Sequence, residues 1–436
     1  MLVGLFGFVC SRKGISEVKV LIVAPGSAGD VHPNIGLGLA LQRRGHQVSL
    51  VAAVVFKSLA ERVGLQFIGF GTEEEYYETL RDPDLWHPYR SFSLVARRLI
   101  LPIIPIVYEL IESHRESGDL VVAASGLSMG ARIAQEKLGV PLATVHLQPS
   151  MLRSIEQPPV FGFPHILGML PRPLRRFYLR AVDSLLIDRL LVEEINSFRA
   201  KLALPPIRRV FDRWMHSPQL VVGLFPEWFA PPQPDWPPNF HATGFPLYDE
   251  SGAREIPAAL EEFLSEGEPP IVFTGGSAMT QDAEFFRVSV EACRASGWRG
   301  ILLAQFPEQV PASLPAGVRH FSYVPFSKVL PRAAAFVHHC GIGTVAQGLA
   351  AGVPQLVVPL THDQPDNAMR VRRLGVGDIL LPGQYRTKRV QDRLRKLLES
   401  QTVTENCRGR AADLANNTAL EQTCLLIEKL AGSRNS

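Results

Sequence analysis

The chain has 436 residues, 46% hydrophobic and 20% charged, with 45 basic and 42 acidic side chains for a formal charge of +3. That length exceeds one ordinary core and points to two domains of roughly 200 residues each. The near-balance of charge gives no footing for a nucleic-acid partner. The five cysteines (Cys10, Cys293, Cys340, Cys407, Cys424) are odd in number, widely spaced and never in C-x-x-C. This usage fits a reducing cytoplasm and argues against a disulfide framework or a structural zinc site.

The apolar start MLVGLFGFVC lacks a basic n-region and a cleavage motif, so no signal peptide is read, and residues 1–17 read as an extension. The first strand is expected at VKVLIVA (18–24). A glycine loop PGSAGDVHP follows, then a helix NIGLGLALQRR closed by Gly45, then a strand QVSLVAA. Continuous apolar strands alternating with helices signal a parallel sheet covered on both faces. The rhythm returns at DLVVAAS (119–125), a helix to Leu138, and VPLATVHL (140–147).

The run LILPIIPIVYEL (99–110), broken by Pro102 and Pro105, falls short of the roughly 20 uninterrupted apolar residues that a membrane span needs. It is expected to be buried or to line a ligand site. The chain is therefore placed in the cytoplasm, with the inner face of the membrane as the lipid surface it could touch peripherally.

From about 150 to 215 the sequence turns to long arginine-rich helices, and the proline- and aromatic-rich stretch VVGLFPEWFAPPQPDWPPNFHATGFPLYDE reads as a strand and an extended connector. A second half restarts the pattern at PPIVFTGGSAM (269–279), with strands at GILLAQF, HFSYVPF, AAFVHH and PQLVVPL and a last helix at 419–430. The expected division is 18–240, a linker at 241–268, 269–415, and a terminal helix in 416–436. Two doubly wound α/β domains would face each other with ligand loops at the carboxyl ends of both sheets.

The stretch HHCGIGT (338–344) opens a helix expected to run from Thr344 to Gly352. Gly341 and Gly343 let a ligand approach the backbone, and the helix N-terminus favours an anion, above all a phosphate. A zinc site is disfavoured because adjacent histidines on a strand end point to opposite faces. A nucleophilic Cys340 lacks a base in the sequence. The pair Asp82 and Asp84 in RDPDLW has D-x-D spacing but reads as loop acids. A dinucleotide site is excluded, since the first glycine loop lacks G-x-G-x-x-G and LVAAVVF carries no carboxylate.

HHCGIGT followed by GVPQLVVPLTHDQ resembles the nucleotide-sugar signature of the glycosyltransferase family that modifies antibiotics, sterols and plant secondary products. Within it, GSAGDVHPNIGL, MHSPQ, LFPEWFAPPQPDW, TGFPL and AGVPQ are similar to the bacterial rhamnolipid rhamnosyltransferases. The resemblance spans about residues 18–380. It implies a GT-B architecture, with an N-terminal acceptor domain, a C-terminal donor domain and a final helix crossing back to the first. The partners implied are a nucleotide sugar (dTDP- or UDP-linked, a co-substrate) and an apolar hydroxyl acceptor, with no metal and no cofactor, in a monomer or dimer.

By the same resemblance, His339 and the backbone at Gly341, Gly343 and Thr344 would hold the diphosphate, with Ser277 adding a hydroxyl. Tyr323 and Val324 would meet the base, and Asp363 and Gln364 the sugar. Where plant members carry a ribose-gripping glutamate stands Gln347, which fits a deoxyribose donor. Asp30 stands at the place of the catalytic base, with His32 as the second candidate; capping the next helix is the structural alternative for both. The acceptor is expected against loops after Ser125 and His146 and segments 80–110 and 150–180, with Trp86, Phe92, Ile103, Ile104, Phe161, Phe163 and Phe177. The arginines of RPLRRFYLR (172–180) read first as a solvated helix face, and second as a contact for an anionic membrane or an acidic acceptor.

Two rivals stand beside the implied inverting, metal-independent hexosyl transfer, whose sugar would be L-rhamnose. One is a broad-specificity UDP-glucosyltransferase on small alcohols and phenols. The other is a catalytically silent nucleotide-sugar-binding auxiliary protein.

Overall fold

The computed structural model describes residues 17–115, 119–250, 252 and 255–432; apart from Glu17, the expected extension at 1–17 lies outside them. The first sheet contains β1 (Lys19–Val23), β2 (Gln47–Ala53), β3 (Gln66–Phe70), β4 (Leu120–Ser125), β5 (Leu142–His146), β6 (Leu220–Gly223) and β7 (Phe240–Ala242). The second contains β8 (Ile271–Thr274), β9 (Gly300–Leu303), β10 (Val318–Phe321), β11 (Ala335–His338), β12 (Gln355–Val357) and β13 (Gly377–Ile379). The strand orders are β3-β2-β1-β4-β5-β6-β7 and β10-β9-β8-β11-β12-β13, and every pairing is parallel.

The alternation along β1 shows why its strand is apolar throughout. Val20 and Ile22 enter one core, with Val121 and Ala123 of β4. Leu21 and Val23 enter the core on the other face, with Val122 and Ala124. Successive side chains point to opposite faces, so a sheet covered on both sides needs apolar residues at each position.

In each sheet the strand order reverses beside its first strand, between β1 and β4 and between β8 and β11. Such switch points leave a crevice at the carboxyl ends of the strands. The sequence puts its glycine loops there: 24–27 after β1, 275–278 after β8 and 339–341 after β11.

The last helix, Ala419–Gly432, returns to the first domain. Thr423 Oγ1 and Thr243 Oγ1 lie 2.9 Å apart. The Glu428 carboxylate accepts from the Arg44 guanidinium at 2.5 and 2.7 Å and sits 3.0 Å from His46 Nε2. Cys424 and Ile427 join the same core as β1 and the 342–351 helix, so this core continues from one half of the molecule to the other.

One boundary differs from expectation with consequences for the site. The first helix begins at Ala28 rather than near Asn34, with Ser27 as N-cap, so GDVHP forms its opening turns. Pro33 is therefore inside the helix and not in its first turn.

Candidate active site

The three glycine loops converge on one cavity of about 740 Å³. From the first domain, Asp30 lies at the third position of its helix and closes a capping box with Ser27. Its Oδ2 accepts from the Ser27 amide at 2.9 Å. This packing requires Gly26, whose φ is +131° and where a Cβ would stand 2.2 Å from Asp30 Oδ2. Burial pushes the Asp30 carboxyl up to about 6, with the Ser27 bonds pulling the other way. A carboxyl in that range is ionised at neutral pH yet basic enough to take a proton.

From the second domain, helix Ile342–Ala351 starts at Gly341, which as N-cap has no side chain to bond the first amides. Gly341, Ile342, Gly343 and Thr344 all line the cavity. Unspent N–H groups at a helix start form an anion site. The His339 ring packs against Gly276, where φ is +96° and a Cβ would meet the ring at 2.5 Å. Burial pushes His339 down to about 4, so the imidazole is neutral, and its Nδ1 is buried without a partner.

The neighbours of His339 in HHCG have surroundings of their own. His338 faces away, its Nε2 2.9 Å from Gln355 Oε1 and its Nδ1 accepting from the Cys340 amide at 3.1 Å. Cys340 is fully buried and its thiol is pushed well above its ordinary value by burial, with Asp363 and Asp366 adding to the effect. It is poorly placed as a nucleophile. Among the described residues no group of three or more His, Cys, Asp or Glu could hold a metal ion. Asp82 and Asp84 are engaged locally, with Arg98 3.4 Å from Asp82 and Arg90 3.0 Å from Asp84.

Asp363 lies beside the cradle. Its Oδ2 accepts from Asn367 Nδ2 at 2.6 Å, and the same amide reaches the Cys340 carbonyl at 3.0 Å. Burial raises the Asp363 carboxyl to about 7, and the charge of Asp30 adds to the shift. Gln364 also lines the cavity, while its Oε1 braces the loop by accepting from the Leu360 and Thr361 amides.

Of the expected residues, Asp30, Trp86, Ser277, His339, Gly341, Gly343, Thr344, Asp363 and Gln364 meet at this cavity. The structure does not bring His32, Tyr323, Val324, Gln347, Ser125, His146 or Phe161 to it, and each has a physical reason. Two positions along a helix do not share a face, so His32 turns from Asp30 to Glu250, 3.2 Å away. The Tyr323 hydroxyl donates to the Asp249 carbonyl at 2.9 Å, and Val324 is core. Gln347 is buried on its helix. Ser125 Oγ accepts from the Leu127 amide at 3.3 Å. His146 is buried against His216 at 3.1 Å. Phe161 is half-exposed, with the Arg153 guanidinium 5.8 Å from its ring.

The apolar half of the cavity comes from the 80–110 segment, including Leu85, Leu99, Pro102, Ile103 and Ile106, and from Leu127 and Leu147 after β4 and β5. Phe92 packs on Phe211, Ile104 is core, Phe163 packs against the core and Phe177 is exposed. Nothing from 150–180 contributes. A segment absent from the expectation does: Phe70, Thr72, Glu75, Tyr76 and Thr79, from β3 and helix Glu73–Arg81. The signal for that helix was present in TEEE (72–75), where Thr72 and Glu75 form a capping box.

Known proteins carry the same two halves. Residues 20–156 match the glycosyltransferase family 28 N-terminal domain, and 301–425 match the erythromycin biosynthesis protein CIII-like C-terminal domain. The O-mycaminosyltylonolide 6-deoxyallosyltransferase of Streptomyces fradiae is 30% identical over 96% of this chain and 99% of its own length. A sterol 3-beta-glucosyltransferase of Arabidopsis thaliana is 28% identical over 90% of this chain and 63% of its own length. The glycosyltransferase VinC, solved in complex with dTDP, superposes with a TM-score of 0.68 at 18% identity, covering 95% of this chain and all of that one. The finer likeness to rhamnolipid rhamnosyltransferases rests on the sequence segments alone. With sequence, fold and cavity in agreement, the chain belongs to the GT-B glycosyltransferases of the family 28 and EryCIII-like kind, which transfer a sugar from a nucleotide sugar to an acceptor.

Proposed function

We propose that the protein transfers a hexose, L-rhamnose from dTDP-rhamnose, to a hydroxyl of a lipidic or aromatic acceptor, with inversion at the anomeric carbon. The observation that carries this reading is the meeting of Asp30 and the uncapped 342–351 helix at one cavity. The acceptor oxygen attacks the anomeric carbon, and the Asp30 carboxylate takes its proton. The bond from that carbon to the diphosphate breaks, and its electron pair leaves with the diphosphate. The amides at the helix start and the neutral His339 stabilise that growing charge. Ser277 and Thr344 offer hydroxyl donors, and Asp363 and Gln364 face the sugar.

The apolar half of the cavity supports the acceptor class. The deoxysugar in the name of the Streptomyces relative, and the dTDP bound to VinC, support the donor class. The test is a matrix of dTDP-rhamnose and UDP-glucose against 3-hydroxyacyl lipids and flat phenols, read by mass spectrometry with the product's anomeric configuration read by NMR. Inverted rhamnosides are expected. A retained configuration, a large preference for UDP-glucose, or no cleavage of either donor would overturn the reading.

A further inference from the structure

A second cavity, of about 560 Å³, shares no lining residue with the first. Six arginines line it: Arg132, Arg153, Arg176, Arg180, Arg209 and Arg213. Each of the three aspartates present lies beside a cation or a backbone donor, although the buried Asp183 Oδ1 makes no hydrogen bond. Asp183 lies 2.7 Å from Arg153, Asp212 pairs with Arg209, and Asp235 accepts from the Ile155 amide at 2.6 Å. Arg132 turns to Glu136, 3.1 Å away.

That leaves guanidinium N–H groups unspent. Arg153 Nη1 is buried without an acceptor, in a side chain only 8% exposed. Arg176 and Arg180 share one face of helix Arg172–Val182, and among the described residues neither has a carboxylate partner. A buried guanidinium nitrogen without an acceptor is costly, and the cost is recovered when a ligand supplies one. A carboxylate can satisfy one guanidinium fork, whereas a phosphate group offers three charged oxygens to donors arriving from a loop and a helix. Leu179 and Trp236 give the cavity an apolar side.

We propose that this cavity is a second ligand site, distinct from the transfer site, that takes the phosphate group of a phosphate ester. Its source is either a small organic phosphate or a phospholipid headgroup; Leu174, Phe177 and Tyr178, exposed on the same helix as Arg176 and Arg180, give the second source an apolar footing.

The experiment uses the full chain with no nucleotide added, beside the same chain carrying Gly276→Ala, which disturbs the diphosphate cradle at His339. Phenyl phosphate is titrated into each by calorimetry, and phosphatidylglycerol and phosphatidylcholine vesicles are compared by co-sedimentation. The variant is Arg176→Glu with Arg180→Glu, at exposed positions that leave the core intact. Arg153→Lys, which keeps the charge and loses the fork, is the second. Wild type is expected to bind phenyl phosphate or the phosphatidylglycerol vesicles, and whichever binds identifies the source. The double variant should weaken that binding at least about tenfold, with an unchanged melting temperature and unchanged sugar transfer from soluble substrates. Absence of binding to both probes, binding undiminished in the double variant, or binding lost in the Gly276→Ala protein would overturn the proposal.

Discussion

Asp30→Asn separates the proposed chemistry of Asp30 from its structural role. The asparagine Oδ1 can still accept from the Ser27 amide, so the helix start is preserved while the base is removed. Loss of a general base predicts a fall in turnover of about 10²–10⁴-fold. The same carboxyl is held at about 6 against an ordinary 3.8 because burial disfavours its charge. For a raised carboxyl the folded state holds the proton longer, so stability declines as pH rises through 3.8 to about 6 and stays lower above it. The full shift corresponds to about 3 kcal/mol; the side chain opens partly on the cavity, and solvent screening reduces this to about 1 kcal/mol. At neutral pH the variant should therefore melt slightly higher while turning over far less. The assay is kcat/KM by mass spectrometry from pH 4.5 to 8, paired with thermal melts. Wild type should lose activity about tenfold per unit below about pH 6, and the variant should lack that limb. Turnover within tenfold of wild type, or an acid limb persisting in the variant, would refute the assignment; a persisting limb near 7 would point to Asp363 instead.

At Gly276, alanine would force a strained φ of +96° and displace the His339 ring; nucleoside-diphosphate affinity by calorimetry should fall about tenfold or more. Glu428→Gln breaks the contact that ties the last helix to Arg44 and His46. With Glu428 held below its ordinary carboxylate range, the contact contributes stability above that range that is lost as pH falls. The variant should lose about 3 kcal/mol by urea denaturation at pH 7 and converge on wild type in acid.

The parts of the site that sequence reasoning found are those whose chemistry is local. Gly26, Ser27 and Asp30 form one loop and helix start, and His339 to Thr344 form another, so residue type and spacing carry the geometry. His32 shows how one local boundary matters: in a loop it could share a rim with Asp30, but in the opening turns of a helix it rotates toward Glu250. Tyr323 depends on the connector at Asp249, which is remote in sequence. Apolar type alone cannot tell which side of a segment is covered: Ile103 reaches the cavity, while Phe177 is 73% exposed. The Phe70–Thr79 wall was invisible as function because its chemistry is ordinary; only tertiary packing turns it toward Asp30.

The two cavities also divide anion recognition by its physical source. Among the described residues the only arginine or lysine on the wall of the transfer cavity is Arg98, already near Glu78 and Asp82. A diphosphate there must be held by backbone amides, the helix dipole and a neutral histidine, all fixed in place before the ligand arrives. Such a site can stabilise a leaving group without leaving an uncompensated cation beside the carboxyl proposed as the base, which would depress its proton affinity. The arginine cavity has no such constraint, because nothing in it needs to remain basic. On the proposed roles, side-chain charge is concentrated where only binding is required, and backbone charge where binding must coexist with proton transfer.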